Sequence, residues 1–227
     1  MTDRFLNELI SIISISKPAL ARRTRMLFAA EDFDDLYPSY LLTLHWLVRA
    51  SVSLMVRCRE ECLARSDNSV TQVYRRVSDY MSQHILEEQS HDDWLLDDLG
   101  HAGFDEPSLL ARVPSINAAN LVGAQYYWLL HFDPVSLLGY LAVIEGSPLN
   151  QAFLAEVVDE SAHPEVSFRS LFLHANEDPN HAEELYFLLS EIELSKPQQA
   201  VIRKSSIATL SGIVKLLDDL LAQGTTN

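Results

Sequence analysis

Glycine is scarce in this chain, at seven residues in 227, and cysteine scarcer still, at two. Most of the glycines fall at the ends of helical patterns, where a residue free to turn left-handed is wanted. Cys58 and Cys62 stand four apart within one such pattern and lack the second ligand pair of a structural zinc site, so a reduced compartment suits them. Long apolar runs are also missing near the start. The stretch after Asp3 and Glu8 is apolar for only about ten residues, too short for a membrane span and wrongly charged for a signal peptide. The expected location is the cytoplasm. Basic residues are few, 17 against 32 acidic ones, for a net charge of −15. Phosphate backbones and anionic membranes need clustered Lys and Arg, so neither nucleic acid nor membrane is an expected partner. No Gly-rich phosphate loop, Gly-x-Ser-x-Gly elbow or Cys/His nucleophile arrangement occurs, which sets those enzyme classes aside.

What is present is apolar residues, 48% of the chain, repeating at three- and four-residue intervals. The expected fold is all-α, and without repeats or linkers residues 1–227 read as one domain. A short amphipathic helix is predicted over Thr2–Ser14 and a second after Pro18. Longer ones are predicted from Tyr37 to about Arg65, and from an Asn68 or Ser69 cap through Val73, Val77, Met81 and Ile85 to Leu99. Pro107 and Pro114 bracket a short helix, and Ser115 is a good cap for Ile116–Phe132. Asp133-Pro134, Ser147-Pro148, Asp178-Pro179 and Ser195-Lys196-Pro197 read as helix restarts, and the last helix runs to about Ala222.

Three places put metal-capable side chains inside otherwise apolar helices. In the first, Glu88 and His91 are three apart and share a face, with His84 two turns below His91. Glu-x-x-His is the unit of carboxylate-bridged dinuclear sites, though the same spacing is common on solvated faces. The second is Glu145, the single charge in the run from Val135 to Gly146. It is either an exposed residue of a final helical turn or a carboxylate that needs a cation, since a helix C-terminus is electrostatically poor for an anion. In the third, His174, Asp178 and His181 would converge on one face of a continuous helix. Against that, Pro179 is expected to break the helix and make Asp178 a cap. Two imidazoles and carboxylates in a helical scaffold suit iron or manganese pairs. His45, His101, His131, His163 and the Tyr126-Tyr127-Trp128 cluster read as packing or surface residues.

In order along the chain, Glu88-x-x-His91, Glu145 and His174-x3-Asp178-x2-His181 resemble the haem-oxygenase-like diiron oxidases. The stretches EEQSHDDWLLDDLGHAGFD and AQYYWLLHFDPVSLLGYLAVIEGSP resemble that family's second core helix and the segment delivering its bridging-type glutamate. The likeness covers Val70 to Tyr186. It implies a helical bundle of about seven core helices, shared with thiaminase II and the pyrroloquinoline-quinone synthase. It also implies Glu88, His91, Glu145, His174, Asp178 and His181 as metal ligands, two irons per chain with manganese as the other candidate, and dioxygen and a small organic molecule as substrates. The family's glutamate from an earlier core helix has no counterpart at matching depth, where Leu54 and Met55 stand, with Glu60 and Glu61 further on. A metal-free enzyme of the thiaminase II or quinone-cofactor synthase type and a non-enzymatic helical binding module are the alternatives. Haem suits the sequence poorly. A homodimer suits such a fold, and no surface pattern in the sequence singles one out.

Overall fold

The computed structural model describes residues 2–65, 71–147 and 149–224, without the side chains of Thr2, Asp3, Thr71, Glu106 and Asp178. The described residues form helices and no strands. The first helix, α1, is continuous over Thr2–Phe28, so the expected interruption at Pro18 does not occur. Its buried stripe of Phe5, Leu9, Ile13, Leu20 and Leu27 keeps one helical face against α9 and α10 on both sides of the proline. That burial outweighs the one backbone hydrogen bond that a proline removes.

The central helix is α2 (Phe33–Ala64), which packs against α3 (Thr71–Glu88), α4 (His91–His101), α6 (Ile116–His131) and α10 (Lys196–Gly224). By length and composition α2 could cross a bilayer. Its buried residues run from Phe33 through Tyr37, Leu41, Leu54 and Met55 to Cys62, so its apolar character is used inside the bundle. The Ser66–Asn68 cluster and the Asn68 or Ser69 cap expected after it lie outside the described residues.

A single long helix was the expectation from Val73 to Leu99, but the chain breaks between α3 and α4. Ser90 adopts a left-handed conformation, with φ of 73°, and α4 starts on a new axis at His91. Such a conformation is uncommon for a residue with a Cβ and interrupts the helical hydrogen-bond ladder. Glu88 is the last residue of α3 and His91 the first of α4, so the pair does not share one helical face.

Elsewhere most local signals match the structure, but the restart expected at Ser147-Pro148 does not: Pro148 lies outside the described residues, and the next helix begins at Gln151, where the Asn150 side chain accepts the Phe153 N–H at 3.1 Å. After the short α5 (Glu106–Leu110), the Ser115 side chain accepts the Ala118 N–H at the start of α6. Asp133 accepts the Val135 N–H at a 3₁₀ turn, Pro134–Ser136, that opens α7 (Leu137–Ile144). Ser195 and Gln198 cap α10 reciprocally, each side chain accepting the other's backbone N–H at 3.4 and 3.0 Å. Helix α7 is buried all round from Leu137 to Val143. The Gly139 carbonyl accepts the Ser206 hydroxyl of α10 at 2.9 Å, which the missing side chain permits. After α8 (Gln151–Glu160) and a second 3₁₀ turn, α9 (Arg169–Glu191) runs unbroken through Pro179, contrary to the helix stop expected at Asp178-Pro179.

Candidate metal centre

Helices α3, α4, α7 and α9 bring His84, Glu88, His91, Glu145, His174 and His181 together. On α3 the buried residues Val77, Met81, His84, Ile85 and Glu88 fall on one stripe, so His84 and Glu88 continue the core face rather than the solvated one. Glu145 is the C-cap of α7 and is only 4% exposed, not a solvated final turn. A carboxylate at that negative helix end, out of water, requires positive charge nearby. His174 and His181 are two turns apart on the same face of α9, which is possible because that helix does not stop at Pro179.

The start of α9 is fixed by two buried contacts. Asp98 of α4 accepts both the backbone N–H and the hydroxyl of Ser170, at 2.8 and 2.5 Å, capping the helix from another element. Tyr37 donates its hydroxyl to the Ser167 carbonyl at 2.8 Å and stacks on Phe168. Burial pushes the Asp98 carboxyl up to about 6, even though the Ser170 hydrogen bonds favour its ionised form.

The donors fall into two groups that share one residue. His84, Glu88, Glu145 and His181 form the first, all buried; Glu88, His91 and His174 form the second. Glu88 faces each group with a different oxygen: Oε1 is 3.3 Å from His181 Nδ1, and Oε2 is 3.1 Å from His91 Nδ1. In the first group Glu145 Oε1 lies 3.4 Å from His84 Nε2, and Oε2 lies 3.5 Å from His181 Nδ1. Each group holds an edge-to-face imidazole pair. His84 and His181 meet at 4.8 Å and 84°, and His91 and His174 at 5.2 Å and 86°.

One hydrogen bond, between His84 Nε2 and Glu145 Oε1 at 3.4 Å, lies within the cluster, and its other close approaches have the spacing of a cation cage. His91 Nδ1 and His181 Nδ1 are buried and have no hydrogen-bond partner among the described residues, despite carboxylate oxygens 3.1 to 3.5 Å away. The oxygens lie off the direction in which a ring N–H would point. Donor atoms held at about 2.1 Å from one ion, in tetrahedral or octahedral array, are themselves roughly 3.0–3.4 Å apart. The cluster fits that arrangement. Nitrogen and carboxylate donors without thiolate suit a divalent metal ion.

Without an ion, protons supply the balancing charge. Contact with Glu145 and Glu88 pushes His181 up to about 10. Burial opposes ionisation of Glu88, but His181 and His91 beside it hold its carboxyl well below the usual range. Glu145 is lowered in the same way by His181 and His84 against its burial. Burial works against a charged His84, and Glu145 outweighs it, so that ring is raised.

Of the residues expected from the sequence, Glu88, His91, Glu145, His174 and His181 meet here, and the Asp178 side chain lies outside the described residues. His84 was not among the expected ligands. Its signal was the four-residue spacing to Glu88 on the apolar stripe of α3. Tyr80 stacks on His84 at 5.3 Å, and its buried hydroxyl has no partner among the described residues; Trp94 stacks on His91 at 3.9 Å. Tyr126, Tyr127 and Trp128 stay outside the cluster, as do Glu60 and Glu61, which pair with Arg57. His45 and His163 spend ring nitrogens on backbone carbonyls, of Asp92 and Asp34.

A largely apolar cavity of about 490 Å³ adjoins the centre. His174 lines it together with Leu47, Leu95, Val143, Leu171 and Leu217. An open depression between Arg4, Glu8, Ser11 and Arg203 contains none of the cluster.

No protein-family profile and no curated protein matches this sequence. Solved structures do. A domain of unknown function with a haem-oxygenase-like fold from Shewanella denitrificans superposes with a TM-score of 0.73 at 17% identity, over 97% of this chain and 90% of that one. A TenA homologue from Pseudomonas syringae pv. tomato gives 0.73 at 15% identity, over 95% and 92%. A CADD-like protein of unknown function from Nostoc punctiforme gives 0.69 at 16% identity, over 98% of both chains. The fold is therefore all-α and haem-oxygenase-like, with a buried His/Glu cluster able to bind a metal ion.

Proposed function

We propose that this chain is a non-haem metal-dependent oxidase that binds two divalent ions, iron first among the candidates, and uses dioxygen to oxidise a small organic molecule. The observation that carries this reading is Glu88, whose two oxygens face two separate groups of imidazoles, as a carboxylate bridging two ions does. His84, Glu145 and His181 would complete one position; His91 and His174 would hold the other. Bound ferrous iron would supply the electrons that dioxygen needs.

The protein's own contribution is geometric and electrostatic. Glu88 and Glu145 would offset the charge of bound ions in a buried setting, and His174, which also lines the cavity, would hold an ion on that side. The apolar walls exclude water from the face where a substrate would sit. A thiaminase-type reading draws no support from the cysteines. Cys58 and Cys62 are fully buried in α2, and Cys58, held high by Cys62 and by burial, donates to the Pro134 carbonyl at 3.3 Å.

Anaerobic titration of the metal-free protein with ferrous iron, followed by oxygen exposure under optical detection, tests the proposal. The expected result is close to two irons per chain and an oxygen-dependent absorbance, both diminished in His84→Ala and His181→Ala. Adventitious iron alone, unaffected by these variants, would overturn it.

A further inference from the structure

Two imidazoles of the first donor group meet the centre with opposite ring atoms. His84 turns Nε2 toward Glu145, and His181 turns Nδ1 toward Glu88 and Glu145. Their remaining nitrogens come back to one atom: Glu87 Oε2 lies 3.6 Å from His84 Nδ1 and 3.9 Å from His181 Nε2. Glu87 precedes Glu88 on α3, and a step of about 100° around the helix places it outside both donor groups. Its other oxygen is held at the surface, where the exposed Gln83 donates its side-chain amide to Oε1 at 3.0 Å. Oε2 is buried, as is His84 Nδ1, and neither has a hydrogen-bond partner among the described residues. The two approaches are ion-pair separations rather than hydrogen bonds. They put an acceptor and two ring nitrogens, all otherwise unused by the centre, beside one another.

An imidazole that gives a lone pair to an ion is neutral and carries its one proton on the other nitrogen. For His84 that nitrogen is Nδ1 and for His181 it is Nε2, the two atoms that face Glu87. A carboxylate oxygen has two lone pairs and is able to take both protons. We propose that Glu87 is a positioning residue for the ion held by His84, Glu145 and His181, fixing the tautomer and rotation of both rings from behind. The inference rests on the metal-centre reading above and adds to it a carboxylate that touches no ion. Such outer acceptors make an imidazole a stronger donor, and removing one costs about 10–100-fold in metal affinity. The role is confined to one position. In the other group His174 leans on the neutral Ser170 carbonyl, and the carboxylate behind His91 is Glu177, 3.8 Å from Nε2. A surface glutamate without such a role would turn both oxygens to water, which the buried Oε2 does not.

The experiment loads the full chain with zinc, which has no redox chemistry, and compares the parent with Glu87→Leu and Glu87→Gln. Chelator competition is expected to show that Glu87→Leu weakens by tenfold or more the ion that His84→Ala also weakens, and leaves the other ion within about twofold. Glu87→Gln keeps the shape and an acceptor without the charge, and is expected to weaken the same ion by a smaller factor. Should the leucine variant fail to fold, the glutamine variant still decides, because no change in it counts against the proposal. Nitrogen-15 labelled histidine gives a signature that general loosening would not. The zinc form is expected to carry its ring protons on Nδ1 of His84 and Nε2 of His181, slow to exchange in the parent and fast in Glu87→Leu, while the Nδ1 proton of His174 is unchanged. Unaltered zinc affinity, equal weakening of both ions, ring protons on the opposite nitrogens or no zinc uptake at all would each overturn the proposal. Two irons in the ferrous titration with zinc indifferent to Glu87 removes this inference alone. Zinc uptake that depends on Glu87 without the two-iron result removes the oxidase reading alone.

Discussion

His174 gives its Nδ1 proton to the carbonyl of Ser170, 2.8 Å away and one turn back on the same helix. A carbonyl can only accept, so the neutral ring carries its proton on Nδ1 and leaves the Nε2 lone pair free. Because Asp98 holds the Ser170 N–H and hydroxyl, this orientation is tied to α4 as well as α9. Nitrogen-15 shifts of the metal-free protein are expected to show the Nδ1–H tautomer at His174. Finding the Nε2–H form would contradict the geometry.

The shared position of Glu88 separates it from Glu145, which belongs to one group only. Glu88→Ala is expected to weaken both ions by tenfold or more, and Glu145→Ala to spare the ion held by His91 and His174. Metal content after dialysis at increasing chelator concentration checks this. Equal losses in the two variants would mean that Glu88 does not bridge.

Asp98 ties stability to pH. Its folded value of about 6 lies above the ordinary 3.8, so the folded state holds the proton more firmly. The contribution is complete below the unfolded value and is lost as pH rises through the folded one, between about 4 and 6. Asp98→Asn keeps an acceptor for Ser170 and removes the buried charge. Its stability relative to the parent is expected to improve by on the order of 2 kcal/mol between pH 4 and pH 7. Urea unfolding at the two pH values measures it, and a difference independent of pH would refute the assignment.

Gly139 lies where α7 packs against α10. A Cβ there would run into the Ile202 carbonyl. Gly139→Ala is expected to destabilise the fold by about 1–3 kcal/mol through overpacking, despite the better helix propensity of alanine. A rise in melting temperature would show that α10 yields more readily than its burial implies.

The parts legible in the sequence were those carried by neighbours along the chain. Ser115 and Asp133 cap helices because a short polar side chain reaches an N–H two or three residues on, which spacing alone reveals. Prolines misled for the opposite reason. Pro18 and Pro179 lie within helices whose buried faces continue past them, and that burial is contributed by distant residues. The break at Ser90 had no sequence signal, since nothing about serine favours a left-handed backbone. His84 was readable as a member of the α3 stripe, but its convergence with Glu145 and His181 depends on three helices at once.

One helix serves both chambers of the molecule. Leu171, His174 and Ala175 of α9 line the apolar cavity, while His174 and His181 face the two donor groups. A guest that shifts this wall acts first on the ion position that includes His174, since His84 and Glu145 stand on α3 and α7. If a guest does shift that wall, filling the cavity and loading the centre are linked equilibria. By whatever factor a guest alters the grip on the ion, the ion alters the grip on the guest by the same factor.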